Sequence, residues 1–446
     1  MPRCVVVLAT LLAAARTQAR PFDYEAVGRA WLTELGEAEA PALPDLLARH
    51  FRRLPIGEFD LCVPEGMLAK GQDPARIPAI ATALVDLQSR LAELTLTDAA
   101  ALKAKKAELA QLRKEVGTWR AKPRPVDAAA GSRPQVCELV LAPDRRTFLG
   151  LTGWLGLWKP VYRERFWHDG TVRHCDMRLQ DEGQVQIVAL EYASPDPAAD
   201  AFAGFDMNTR ERTGLLQHVV QRAAMSWCWR AFGDTADATF VLGFVTDLVI
   251  DVLGQNNARS DGSGTGKTTE GVNAFIPGAP SRGGSMQMVN ADSTWRLTQG
   301  QDWFARVLRQ AQKAGEHAAE DNKDRLGHFQ LRDPKGQKLH LVHAPFLGAV
   351  AYDRADVPPE FLDDYLEFHR AYRAGFVHWL QLKGMKAKAS SLERFQQLLQ
   401  RLMAQRDGER FEALCAELYG VPLSAKAADV DTLERRYLAW IAADSR

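Results

Sequence analysis

Apolar positions recur at helical spacing along the first part of the chain. Leu84, Leu87, Leu91 and Leu94 form one stripe, and Leu102, Leu109, Leu112, Val116 and Trp119 resume it after a polar break. Thr97-Asp98 offers a helix N-cap at that break, so the pattern predicts two helices joined over 95–98 as an αα-hairpin. Its outer face is lysine-rich around residues 103–106, and the stripe is expected to pack against its own domain. Residues 22–120 are expected to be helical throughout. Pro, Ala and Gly then crowd residues 122–134, which read as a linker. Beyond it the period shortens. Residues 136–141, 172–179 and 185–192 are β-rich and partly alternating, which predicts a small sheet. Residues 215–231 and 238–253 are long apolar segments of helical length. Residues 254–300 are rich in Gly, Ser, Asn and Thr and read as one extended loop, after which helical patterns return at 302–320 and dominate 359–446. The expected class is α+β: a helical region over 20–121, a linker over 122–134, and a second domain over 135–446 made of a small sheet followed mostly by helices.

The N-terminus changes the picture. Met-Pro-Arg is a short basic start, residues 4–15 are an apolar run, and Thr17-Gln18-Ala19 resembles a small-residue cleavage site before Arg20-Pro21. That order is the pattern of a secretory signal peptide over 1–19, and it predicts a secreted or periplasmic protein. The run is too short to span a bilayer, and no later segment reaches the roughly 18–20 apolar residues a span requires. Export also permits disulfides. Of six cysteines, removing Cys4 leaves Cys62, Cys137, Cys175, Cys228 and Cys415, an odd set in which one or two bridges are expected. The sequence has no C-x-x-C, which argues against a zinc ribbon or a thioredoxin-like site. Lys+Arg and Asp+Glu both number 56, so no global field draws the chain to nucleic acid or an anionic membrane. Trp numbers 11, and residues such as Trp154, Trp158, Trp167, Trp227 and Trp229 read first as core fillers.

Two segments invite a chemical reading. Gly262-Ser-Gly264-Thr-Gly266-Lys267-Thr268-Thr269 looks like a phosphate-binding loop. A P-loop needs G-x-x-x-x-G-K-[ST], a strand before it and a helix after it. Here Asp261 stands at the first required glycine, residues 255–261 separate the glycines from the apolar segment, and Gly271 and Pro277 break up the stretch where the helix would run. A flexible surface loop is the preferred reading, with Gly262, Gly264, Gly266, Lys267 and Thr268 as the nucleotide-binding alternative. Other histidines carry less. His340 and His343 lie on an alternating segment, where an odd spacing sends the rings to opposite faces. His317 and Glu320 sit among Lys313, Lys323 and Asp324, which describes a solvated helix face.

The second segment is Leu215-Leu216-Gln217-His218-Val219-Val220-Gln221-Arg222. It resembles the hydrophobic approach to the H-E-x-x-H helix of zinc peptidases, in which two histidines one turn apart bind zinc and the glutamate is the general base. Further landmarks appear in the same order. Residues 140–148 (Val-Leu-Ala-Pro-Asp-Arg-Arg-Thr-Phe) are similar to an opening strand and helix. Phe244-Val-Thr-Asp247-Leu248 falls where the third-ligand helix is placed. Residues 372–380, containing His378, resemble the helix packed behind the site, and Phe411 to Gly420 and Leu433 to Trp440 resemble the closing helices. Over about residues 135–445 the chain resembles the peptidase-MA-like branch of the gluzincins, the thermolysin-like zinc metallopeptidases.

Carried over position by position, the resemblance implies a lost reaction. His218 would be the first zinc ligand, but the base position holds Val219, the second-ligand position Arg222, and the third-ligand position Asp247. Valine takes no proton and a guanidinium offers no lone pair. A catalytic site takes three protein ligands plus water, so no zinc and no other cofactor is expected. Arg222 is expected to pair with Asp247 in place of the ion. The resemblance therefore implies an exported, non-catalytic relative that binds a peptide or protein or serves envelope structure. A hydrolase working through other residues, or a nucleotide-binding protein, are the alternatives.

Overall fold

The computed structural model of the protein describes residues 23–65, 76–117, 124–125, 137–142, 145–167, 176–179, 185–189, 212–233, 238–256, 297–298, 331–332, 338–339, 341–343, 350–352, 373–384, 388–404, 411–423 and 430–444. Asp23 accepts a hydrogen bond from Ala26 N (2.9 Å) and caps helix α1 (Tyr24–Glu34). Helix α2 (Leu43–His50) comes next and runs directly into strand β1 (Phe51–Ile56). Here the structure departs from the expected all-helical region. β1 and β2 (Phe59–Pro64) form an antiparallel hairpin in register Ile56↔Phe59 to Phe51↔Pro64. Its turn holds Gly57 at φ +62, a left-handed conformation that glycine adopts without a Cβ penalty. Arg52, Arg53 and Asp60 within the strands, together with Pro55, blur the apolar alternation that would have announced them.

Helices α3 (Arg76–Thr95) and α4 (Ala99–Gly117) are the expected αα-hairpin. Asp98 Oδ1 accepts from Ala101 N at 2.6 Å, as an N-cap should. Leu84, Leu87, Leu91 and Leu94 are all buried. Next come β3 (Arg124–Pro125), β4 (Cys137–Ala142), α5 (Arg145–Trp158), α6 (Val161–Phe166), β5 (Asp176–Leu179) and β6 (Val185–Ala189). The six strands form one sheet in the order β3-β1-β2-β4-β6-β5. β2/β4 and β4/β6 are parallel, and the outer pairs are antiparallel. The sheet therefore continues across residues 122–134, and strands from both sides of that stretch share one hydrogen-bonded ladder.

Alternation along the strands divides the interior in two. Phe59, Leu61, Val63, Leu139 and Leu141 face a large core with α3 and with α7 (Arg212–Phe232), α8 (Ala238–Leu253), α9 (373–382), α10 (Lys388–Ala404), α11 (Phe411–Tyr419) and α12 (Leu433–Asp444). Cys62, Val140 and Ala142 face a smaller core with α1, α2 and α5. In that second layer α1 and α5 cross at glycines: a Cβ on Gly28 would lie 2.6 Å from the Gly153 carbonyl carbon. Tryptophans fill cores here as expected. Trp154 is fully buried and donates Nε1–H to Pro41 O at 3.0 Å, and Trp227 reaches Glu58 Oε2 at 3.1 Å. The class is α+β, with a mixed sheet covered by helices on both faces. No helix among the described residues is long and apolar enough to cross a membrane.

The expected disulfides are not formed by the cysteines described. Cys62, Cys137, Cys228 and Cys415 are buried thiols. Burial, followed by the nearby Glu138 carboxylate, pushes the Cys62 thiol far up; burial alone does the same for Cys228. Residues 1–19, Cys175 and Gly262 to Thr268 lie outside the described residues, as do 302–320 and His340. The loop expected over 254–300 is pinned at its described ends, where Gln255–Asn256 pairs with Leu297–Thr298.

Candidate functional site

α7 and α8 are apolar on almost every side because they lie inside the protein. Residues 219–228 of α7 and 240–250 of α8 are buried without interruption. Helices of this kind carry few polar side chains, and those present are informative. They are Gln217, Gln221, Arg222 and Ser226 on α7, Thr246 and Asp247 on α8, and Gln381 on α9. Val219, which the sequence resemblance aligns with a general base, is fully buried in the apolar core. Arg222, which the same resemblance aligns with a second ligand, is buried and engaged with a partner. His218 lies on α7, and its side chain is outside the described residues.

Asp247 is the centre of the polar network, with 1% of its side chain exposed. Oδ1 lies 3.0 Å from His378 Nδ1, and Oδ2 accepts from Gln381 Nε2 at 2.6 Å. These two bonds replace the pairing with Arg222 expected from the sequence; the helix that closes on Asp247 is α9. A carboxylate only accepts, so the His378 contact requires the ring proton on Nδ1. The amide of Gln381 is oriented in turn, because its Oε1 accepts from Arg90 Nη2 at 2.9 Å. Arg90, on α3, also donates Nε–H to Asp251 Oδ2 at 2.8 Å and reaches Glu93 at 3.4 Å. Lys106 of α4 closes on Glu93 at 2.7 Å. A continuous polar chain thus links four helices: His378, Asp247 and Gln381, then Arg90 with Asp251 and Glu93, then Lys106.

Asp247 and Asp251 are one turn apart on α8 and face the same neighbours. Burial, then the like charge of Asp247, pushes the Asp251 carboxyl up to about 6, with Arg90 and His378 opposing. Burial pulls the His378 imidazole down, but Asp247, its hydrogen bond and Asp251 outweigh this and hold the ring above its ordinary value. Burial raises the Glu93 carboxyl less than Lys106 and Arg90 lower it, and it rests below the usual range. One atom each of Asp247, Asp251 and His378 lie within 4.8 Å of one another, a donor set able to hold a cation.

Of the positions singled out in the sequence, the structure therefore places Asp247 at the centre of this cluster and Val219 in apolar surroundings. The partners Arg90, Asp251, His378 and Gln381 were not picked out as a group. The available signal was spacing: Asp247 and Asp251 at i, i+4, and His378 and Gln381 at i, i+3, are polar pairs on otherwise apolar helices. Arg90 gave none, since its role depends on packing between segments far apart in the chain. Comparison with family models, characterised proteins and solved structures returned no match for this chain.

Proposed function

We propose that the chain is an exported, non-hydrolytic relative of the gluzincin peptidases, acting by binding a peptide or protein or as a structural element of the envelope. The observation that carries the reading is the chemistry of the helix pair. Where the resembled family has a general base, this chain has Val219, fully buried among apolar side chains. Where it has a second imidazole, the chain has the guanidinium of Arg222, and the third-ligand position, Asp247, is committed to His378 and Gln381. Such an arrangement ties α8 to α9 and has no group at position 219 that can activate water. The 1–19 pattern supports export, and the balanced charge supports a partner other than nucleic acid.

A second reading has a specific observation behind it. A histidine whose Nδ1–H is held by a buried aspartate is oriented as a general base would be, and the side chain of His378 keeps 22% of its surface exposed. On that reading the protein is a hydrolase in which His378, rather than a zinc ion, activates the attacking water. One experiment separates the two: purified chain incubated with casein and fluorogenic peptides, with and without EDTA, beside H378Q and H218A. The proposal expects no turnover in any sample. Turnover that EDTA and H218A abolish would overturn it in favour of an intact zinc peptidase; turnover that resists EDTA and disappears in H378Q would overturn it in favour of the histidine-based hydrolase.

A further inference from the structure

We propose that Asp247, Asp251 and His378 form a binding site for a divalent transition-metal ion between α8 and α9, which shares Asp247 with the resembled third-ligand position but takes no ligand from α7. The three donors come from two helices, and their ligand atoms lie within 4.8 Å of one another. An ion with ligand distances of roughly 2.0–2.2 Å holds three donors about 3.0–3.8 Å from one another, so the side chains draw in by up to about 1 Å to contact it together. Asp247 is almost wholly buried, which sets this cluster apart from the exposed acidic groups common on protein surfaces.

The surroundings are those of metal-bound carboxylates, which are oriented by hydrogen bonds to the oxygen that does not bind the ion. Gln381 holds Asp247 through Oδ2, and Arg90 holds Asp251 through Oδ2. Arg90 also fixes the Gln381 amide, so the two supports are themselves joined. That leaves Asp247 Oδ1, Asp251 Oδ1 and His378 Nδ1 as the ligand atoms. Oδ1 of Asp247 and Nδ1 of His378 are already 3.0 Å apart, close to the separation of adjacent ligands on one ion. Binding removes the proton from Nδ1: an imidazolium releases it to water, and a neutral ring shifts it to Nε2. One imidazole nitrogen with two carboxylate oxygens suits Zn2+, Co2+ or Mn2+ better than Ca2+, and water completes the coordination.

The test is titration of the metal-free full chain with CoCl2, monitored by visible d–d absorption, for wild type, H378Q, D251N and H218A. Wild type and H218A are expected to bind one Co2+ per chain, and H378Q and D251N to bind at least ~10–100-fold more weakly. Far-UV circular dichroism checks that each variant is folded. A measurement on the unaltered chain avoids the variants altogether: the His378 ring nitrogens in 15N NMR are expected to shift on addition of ZnCl2. Folded wild type that binds no Co2+ and shows no ring shift would overturn the proposal. So would binding lost in H218A but kept in H378Q and D251N, which would put the ion on α7. Absence of binding leaves the non-hydrolytic reading intact, whereas an ion on α7 would count against that reading as well.

Discussion

Replacing Asp247 is the sharpest perturbation of the polar network. Its carboxylate is buried and accepts two hydrogen bonds, at 2.6 Å from Gln381 and 3.0 Å from His378. Bonds to a charged acceptor contribute about 1.5–3 kcal/mol each, and losing the acceptor strands the buried amide of Gln381. His378 keeps some solvent contact, so the second bond is discounted. D247A is expected to destabilise the protein by about 3–4 kcal/mol, within the range for breaking a buried pair. D247N keeps the shape and one acceptor and should cost about 1–2 kcal/mol. Urea unfolding in a chelating buffer measures both, with the D247A midpoint lower by ~1 M if the m-value is near 3 kcal/mol/M. The pH dependence supplies a second check. Asp251, pushed up to about 6, and His378, held above its ordinary value, both bind protons more tightly in the folded state. Their contributions to stability are present at low pH and decline as pH rises, between ~4 and 6 for Asp251 and above ~6.5 for His378. Removing the Asp247 charge weakens both effects, so the stability gap between wild type and D247N should narrow from pH 5 to pH 8.5. A D247A cost below about 1 kcal/mol, or a gap that widens with pH, would refute this account of the network.

The fold supports two further expectations. Gln88 of α3 is buried and ties down the β1–β2 turn: Oε1 accepts from Glu58 N at 2.8 Å, and Nε2 donates to Ile56 O at 2.8 Å. Q88L strands one donor and one acceptor, and after allowing for leucine burial a loss of about 2–3 kcal/mol in urea unfolding is expected; a change under about 0.5 kcal/mol would show that the turn is held by other contacts. For the cysteines, Ellman's reagent at pH 8 should detect at least four more thiols in the unfolded chain than in the native one, the four described being Cys62, Cys137, Cys228 and Cys415. Equal counts in the two states would contradict their burial as thiols.

How much was legible in the sequence depended on whether a segment's neighbours lie nearby in the chain. The α3/α4 hairpin and the paired helices α7 and α8 were legible because leucine spacing and long apolar runs are local signals. The β1–β2 hairpin was not. Arg53 sits inside its strand because Glu138, some eighty residues on, and Asp60 receive its guanidinium, and no local pattern reports that compensation. The continuity of the sheet across 122–134 was hidden for the same reason, since β2 pairs with β4 across two helices and a proline-rich stretch. At the site, Asp247 was picked out through its place in the motif, but its partner was misassigned. The α7 arginine was the neighbour closer in sequence, whereas packing brings up His378 and Gln381 of α9. The expected disulfides rested on the export pattern alone, and each described cysteine instead fills core volume as a small apolar side chain.

We infer that the helix carrying His218, Val219 and Arg222 does not activate water. The most direct measurement is peptide hydrolysis by the purified full chain after incubation with Zn2+, with H218A beside it and EDTA added to half of each sample. No chelator-sensitive turnover is expected from either protein. Cleavage by the wild type that disappears both with EDTA and in H218A would contradict it.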